Sequence, residues 1–540
     1  MLPRCTLQGP LNRARAGGAA SSTGITAAVS VRRAGLASAA LVGVIAAALC
    51  SPFIVVVSAL SDEGVLLSAA DRMLHGDRLY LDFFEFLPPG GFVITASWFA
   101  LTGISLSSAR VLAILVITAI ACVTYQACRM TCERASYPAL VVIAWLVMTQ
   151  GVWTQVSHHW LTTLFSMIAF WLALRSIEGQ TPLLREPLVA GVAAGAALMV
   201  TPTRGALAML AAAVSLADPR RRKSRSLAYL AGCAVAPAGL LAYVGARRAL
   251  TAAFDDVILF PASRYAPIQG VPFGYFANIQ NFPLKYLFPI VALLTLLSCS
   301  RRWPTCLNDR RLHLCAAFGL AGFIGVFPRP DIVHIGFTAP LACPLLVYCA
   351  KHLTEGALRK YRPVAAALAV ACCLPCGLAY LRISEAALRA QPVETARGRV
   401  VFSSGVEQGT KELFAWIATT PVQDRFFFYP YFPMLPFLTA RQQTSKYDIF
   451  IPDYTLPTQY VDACNSVMEN ASWIVAHQSV TDPNAWASVF PAMRNPRLTE
   501  MRRFGQALES QFELVARFGE FNISHRIRAG NEAACAKISE

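Results

Sequence analysis

Two carboxylates stand side by side where an apolar stretch gives out: Ser61-Asp62-Glu63-Gly64 follows directly on the segment from Gly35 to Leu60. A carboxylate there, level with lipid headgroups and water, can take a proton from an acceptor hydroxyl while a lipid-phosphate leaving group is held within reach of the same surface. The pair also suits a plainer role, because acids in a first helical turn complement the helix dipole. A second pair, Asp255-Asp256, is the internal competitor. It follows a span less directly and lacks the aromatic, proline-ended return that comes after Asp62, from Tyr80 through Asp82-Phe83-Phe84-Glu85-Phe86 to Pro88-Pro89. His158-His159 is a weak metal candidate, since vicinal histidines point apart on a helix and no carboxylate is nearby in sequence. No cofactor is expected, with a divalent metal left open. Cys373-Leu374-Pro375-Cys376 has redox spacing but lies within an apolar span and lacks a βαβ context, so it reads as packing.

The elements that must hold these groups are membrane helices. Of 540 residues, 55% are hydrophobic and 14% charged, against about 25% charged in soluble domains. The net charge of +16 would suggest nucleic acid in a soluble protein. Here the arginines fall in short clusters between apolar runs, where orientation explains them, so nucleic-acid binding is rejected. Residues 1–33, rich in Arg, Ala, Gly and Ser, are expected to be a disordered cytosolic tail. The stretch after Arg32-Arg33 is too long for a signal-peptide core and reads as an uncleaved first span. Further apolar segments lie at about Ser107–Ala127, Tyr137–Gln155, Trp160–Leu174, Pro187–Val200, Gly205–Ala217, Leu227–Val244, Tyr286–Ser298, Leu312–Phe327, Gly336–Ala350 and Pro363–Leu381. The fold class is therefore mainly α: a transmembrane domain over residues 34–382 with about eleven helices. With the N-terminus inside, basic residues such as Arg129, Arg175, Arg220, Arg221, Arg302 and Lys360 fall in inner loops, roughly twice as often as in outer ones. Gly90 to Ile104, at about 15 residues, is too short to span and reads as interfacial or re-entrant.

In the first outer loop, residues 61–91, Ser61 can cap a helix with an apolar face of Leu66, Leu67, Ala70, Met73 and Leu74, stopped by Gly76 and lying on the membrane surface. Residues 383–540 contain no run long enough to cross a bilayer and read as a soluble α/β domain outside the cytosol. Its expected strands are Phe426–Tyr429, Tyr447–Ile451 and Trp473–Ala476. Its expected helices run near Val406–Ala418, Thr458–Met468 and Arg503–Ala516. On that side of the membrane Cys464 and Cys535 could pair.

The succession Asp62-Glu63, Gly76, Tyr80, Asp82-Phe83 and Pro88-Pro89 after the first span resembles the GT-C superfamily of membrane glycosyltransferases, which includes the protein O-mannosyltransferases and lipid A aminoarabinose transferases. The resemblance implies transfer of a sugar from a polyprenyl-phosphate donor to an extracytoplasmic glycan, lipid or protein, mostly with inversion. It makes Asp62 the general base or acceptor-orienting residue, with Glu63 its partner, and Tyr80, Asp82 and Asp331 substrate-binding. A lipid-borne donor fits an outer active site, because polar nucleotide sugars do not cross a bilayer unaided. Its phosphate needs cations, for which Arg204, Arg264, Arg329 and His334 are the candidates. Arg329-x-Asp331-x-x-His334 is similar to a short outer loop of bacterial members; an Arg329–Asp331 ion pair at a helix end is its structural alternative. The implied setting is a bacterial inner membrane with the C-terminal domain periplasmic. A transporter or lipid-linked-sugar flippase is the rival, but it would bury acids at mid-membrane and often shows internal repeats, and neither is evident. An inactive scaffold whose outer domain binds a partner is the third reading.

Overall fold

The computed structural model describes residues 20–58, 61–132, 134–151, 153–178, 184–216, 222–355, 359–402, 409–481, 485–493, 498–527 and 532–538. Residues 1–19 of the expected disordered tail, the basic Arg220 and Arg221, and Val406 at the start of an expected helix lie outside the described residues.

Each segment expected to span contains a helix among the described residues, though the first, Gly35–Leu60, leaves the helix after Cys50 and the second half of it carries the strand Val56–Val57. In chain order the helices are α1 (Ala20–Cys50), α2 (Glu63–Leu74), α3 (Gly90–Thr102), α4 (Leu106–Thr131), α5 (Ser136–Thr149), α6 (His158–Glu178), α7 (Arg185–Leu198), α8 (Pro202–Ala213) and α9 (Arg222–Ala246). There follow α10 (Leu250–Phe254), two π turns (Asp255–Leu259 and Pro261–Tyr265), α11 (Ala266–Ile268), α12 (Leu287–Arg301), α13 (Arg310–Ile324), α14 (Ile332–Glu355) and α15 (Arg362–Arg389). Seven helices among the described residues are long and apolar enough to cross a membrane: those of α1, α4, α6, α9, α12, α14 and α15. Short apolar helices such as α3 and α5 reach roughly 20 Å at 1.5 Å per residue, against about 30 Å of hydrocarbon. The chain is an integral membrane protein. Helix α1 begins at Ala20, so part of the stretch expected to be disordered is helical.

Caps and close approaches fix the bundle. Ser105 caps α4 by accepting from the Ser108 amide, and Asp309 caps α13 by accepting from that of Leu312. Helix α14, largely buried, packs against α4, α5, α6, α12 and α13. Helices α7 and α9 meet through glycines: a Cβ on Gly191 would lie 2.1 Å from the Tyr229 carbonyl oxygen, and one on Gly195 2.4 Å from that of Cys233. Only a hydrogen at these positions lets the backbones come so close.

The C-terminal part is built on two small sheets. In the first, β1 (Val56–Val57), at the exit of the first span, pairs in parallel with β3 (Gly398–Phe402), whose other edge is the antiparallel β2 (Val393–Thr395). The second has the order β4 (Phe426–Tyr429), β5 (Trp473–His477), β7 (Phe521–Arg526), β6 (Phe512–Phe518), with β4 and β5 parallel. Helices α16 (Thr410–Thr419), α17 (Met434–Thr439) and α18 (Pro457–Asn470) accompany it, and Cys464 is bonded to Cys535 with Cα atoms 5.6 Å apart. Two expectations need correction. Tyr447–Ile451 is irregular rather than a strand, fastened by the Phe450 amide to the Pro430 carbonyl. The helix expected to reach Ala516 stops at Glu509, because Phe512–Phe518 forms a hairpin with Phe521–Arg526 across a left-handed Gly519 (φ 58°).

The first outer loop is clamped to this domain. Leu66, Leu67 and Ala70 of α2 are buried in protein, against α3 and α17; the expected membrane-surface helix is thus a packed one. A Cβ on Gly64 would meet the Pro433 and Met434 backbone at 2.3 Å, and the Ser68 hydroxyl donates to the Pro433 carbonyl over 2.9 Å. Farther along, Arg397 pairs with Asp71 and the Phe84 amide donates to the Lys446 carbonyl.

Candidate functional site

Asp62 and Glu63 adjoin in sequence and part company in space. Asp62, the residue just ahead of α2, is exposed, and its Oδ1 accepts a 2.5 Å hydrogen bond from the Tyr431 hydroxyl, between β4 and α17. Its other oxygen has no protein partner among the described residues. Glu63 points the other way: it is 1% exposed, paired with the fully buried Arg110 of α4, and accepts from the Val156 amide at 3.0 Å. Arg110 also donates to the Val56 carbonyl. Glu63, expected to act beside Asp62, therefore has no path to a substrate and instead ties the loop to the bundle.

The return of the loop is likewise structural. Tyr80 is fully buried with a left-handed backbone (φ 73°), and its hydroxyl donates to the Leu87 carbonyl at 2.8 Å. Asp82 accepts from the backbone and guanidinium of Arg78, which holds its carboxyl below the usual range. Neither side chain is placed to bind substrate, as had been expected of both.

What the return does deliver is an aromatic box. Phe84 and Phe86 meet Phe260 and Tyr265 of the π-turn segment and Tyr447 and Tyr454 of the C-terminal domain, with ring centroids 4.9–6.2 Å apart. Between the two phenylalanines lies Glu85, 4% exposed, its carboxyl pushed well above the usual range by burial and by Asp448, with Asp256 and Asp62 adding to the effect and Arg72 opposing it. Burial likewise lifts Asp448 to about 6 and Asp256 to about 7. Asp448 Oδ1, Asp256 Oδ2, the Tyr454 hydroxyl and Arg72 Nη1 are all buried without a hydrogen-bond partner among the described residues. Such atoms are costly to leave unmet. Asp256, the internal competitor, is thus a charged neighbour of Glu85.

A basic chain lies on the other side of Tyr265. Arg204, in the first turn of α8, donates through Nε to the Gly325 carbonyl (2.8 Å) and through Nη1 to His159 Nδ1 (2.9 Å). An arginine only donates, so His159 Nδ1 is the acceptor here; Nη2 keeps no protein partner among the described residues. The His159 ring lies 3.8 Å from that of His158 and 4.8 Å from that of His334. His334 Nδ1 bonds Asp331 Oδ1 at 2.7 Å, and Asp331 Oδ2 accepts from Arg329 Nε at 2.9 Å. Asp331 also caps α14 through the His334 amide. Burial works to raise the Asp331 carboxyl, and His334 and Arg329 outweigh it, leaving it below the usual range. Its oxygens are spent on the protein, so its expected substrate contact is not available. Arg329 is similarly engaged: besides Asp331 it donates to Gln269 and to the Val489 carbonyl, with the Phe490 ring 5.2 Å away. Three of its five N–H groups are thus held by the protein. Arg264, half-buried in the π turn beside Tyr265, makes no side-chain hydrogen bond or ion pair among the described residues. Among those residues no group of three His, Cys, Asp or Glu stands close enough to hold a metal ion, His158 and His159 included.

Tyr265 joins the two halves. Burial pushes its phenol up to about 12, and its charged neighbours are Asp62, Arg329, Arg204 and Asp331. Of the residues expected from sequence, the fold brings Asp62, Arg204, Arg329 and His334 around Tyr265 and Asp331 and turns Glu63, Tyr80 and Asp82 to other work. Glu85, Tyr265, Tyr431, Asp448 and Tyr454 had been assigned no role. The acid inside Phe84-Glu85-Phe86 was the one sequence signal for them, as a charge in an aromatic run needs a reason to be buried.

No family model matches the chain, and no curated protein matches it by sequence. Its shape is known. ArnT from Cupriavidus metallidurans bound to undecaprenyl phosphate superposes with a TM-score of 0.57 at 14% identity, covering 94% of this chain and 99% of that one. The apo state of the same protein gives 0.55 at 13% identity, covering 93% and 98%. The arabinofuranosyltransferase AftD from Mycobacteria gives 0.48 at 14% identity over 93% of this chain and 40% of its own. Over nearly its whole length the chain therefore has the fold of ArnT.

Proposed function

We propose that the protein is a membrane glycosyltransferase that moves a sugar from a polyprenyl-phosphate donor to an acceptor hydroxyl, with Asp62 as the base. The observation that carries this is the single region shared by an exposed carboxylate with one free oxygen and a buried arginine with one free nitrogen, both neighbours of Tyr265. In this reading the free oxygen of Asp62 takes the proton of the acceptor hydroxyl as the hydroxyl's own oxygen bonds to the anomeric carbon. The bond from that carbon to the phosphate oxygen breaks, and the lipid phosphate leaves with the electron pair. Arg204 Nη2, backed by His159 and His334, and the unengaged Arg264 take up its negative charge; Arg329 adds field rather than contact. The unmet polar atoms around Glu85, Asp448 and Tyr454 suit the hydroxyls of a saccharide, and the aromatic box suits its apolar face. The fold shared with a protein bound to undecaprenyl phosphate supports a polyprenyl carrier. We place the site on the periplasmic side of a bacterial inner membrane, following the distribution of basic loops.

The test is to incubate purified protein with a panel of radiolabelled polyprenyl-phosphate sugars and compare Asp62→Ala. Transfer by the wild type and a loss of about a hundredfold or more in the variant is expected. Undiminished transfer by Asp62→Ala would remove the base.

A further inference from the structure

We infer that Tyr431, from the C-terminal domain, is a positioning residue for the reaction: it holds one oxygen of Asp62 and so leaves the other as the base. The inference rests on the reading of Asp62 given above. The Tyr431 hydroxyl lies 2.5 Å from Asp62 Oδ1 and is the one hydrogen-bond donor to that carboxylate among the described residues. Tyr431 is 7% exposed, with the Trp486 ring 6.3 Å away. Its segment cannot slide relative to Asp62, because two residues on, Pro433 accepts from Ser68 and lies against Gly64 of α2. A phenol so placed acts through Asp62, setting the direction of its free lone pairs.

The other titratable groups facing Asp62 come from three elements: Glu85 of the outer loop, Tyr265 of the π turn and Tyr454 ahead of α18. The two tyrosines, like Tyr431, are kept protonated at neutral pH by burial. Loss of the Tyr431 hydroxyl thus leaves the base without its one hydrogen-bonding partner among the described residues.

The experiment uses full-length Tyr431→Phe in lipid nanodiscs with whichever polyprenyl-phosphate sugar of the panel the wild type turns over best. We expect kcat to fall about tenfold and the donor KM to stay within about twofold, as loss of a hydrogen bond to a carboxylate that acts in the transition state demands. Ser68→Ala is the control: it removes one hydrogen bond of the docking, while the packing of Pro433 on Gly64 remains and keeps the phenol in place, so its kcat should stay within about twofold of the wild type. A kcat undiminished in Tyr431→Phe overturns the inference, as does an equal fall in Ser68→Ala. An inactive Asp62→Ala beside a fully wild-type Tyr431→Phe would sink this inference alone; an active Asp62→Ala would sink the base itself.

Discussion

At a helix start, neighbouring side chains diverge by about 100°, so one of two consecutive acids can face solvent while the next enters the core. Asp62 and Glu63 divide in this way, and the division sets different expectations for their variants. Glu63→Ala would leave Arg110 charged, buried and unpaired, which costs about 3–5 kcal/mol. We expect a large drop in the thermal unfolding temperature in detergent. The combined Glu63→Leu and Arg110→Met variant should recover most of it, since apolar replacements of similar size remove both desolvated charges. If Glu63→Ala instead melts like the wild type, the pair is not what fastens the loop. A loss of activity in Glu63→Ala should therefore track the amount of folded protein, whereas Asp62→Ala should fold normally and fail to react.

Among the elements, the contact of α7 with α9 is the most exposed to a single change. A side chain of any size at Gly191 would strike the Tyr229 carbonyl oxygen, so Gly191→Leu should separate the two helices and sharply reduce the yield of monodisperse protein. Size-exclusion chromatography of the detergent-solubilised variant checks this, with Gly239→Leu, where a Cβ meets nothing within 4 Å, as the comparison. The apolar helices were legible in the sequence because a bilayer requires long uninterrupted runs, and so was Phe426–Tyr429, whose four residues are all buried. The hairpin of β6 and β7 was not: Glu513, Arg517 and the exposed Leu514 blur the alternation that marks a strand. Of the proposed site, Asp62, Arg204 and His334 could be singled out because each lies near the end of an apolar run. Tyr431 and Asp448 carry no local signal, since their meaning comes from packing against an outer loop more than 300 positions earlier. Asp331 and Arg329 had the right residue types, yet they meet each other before they could meet a ligand.

For the whole molecule, the buried acids beside Glu85 contribute a pH-dependent part of the stability. Burial lifts Asp256 to about 7 and Asp448 to about 6 in the folded protein, against about 4 in an unfolded chain. At these two groups the folded state binds more protons than the unfolded one, so their contribution is fully present below about pH 4 and is lost as pH rises through 6 to 7. The difference in melting temperature between wild type and Asp448→Asn, followed from about pH 4 to 8 without substrate, isolates that contribution: the wild type should lose stability relative to the variant as pH rises, and a difference that does not change with pH would contradict the assignment. The hydrogen bond from Tyr431 to Asp62 has an implication of another kind, for biosynthesis. Its two ends are 369 residues apart, and a ribosome adding about 5–20 residues per second needs on the order of twenty seconds to a minute to bridge that gap. The nascent polypeptide thus exposes its acid long before the partner emerges, and a product truncated by premature termination after the last membrane helix would insert into the bilayer yet remain catalytically mute.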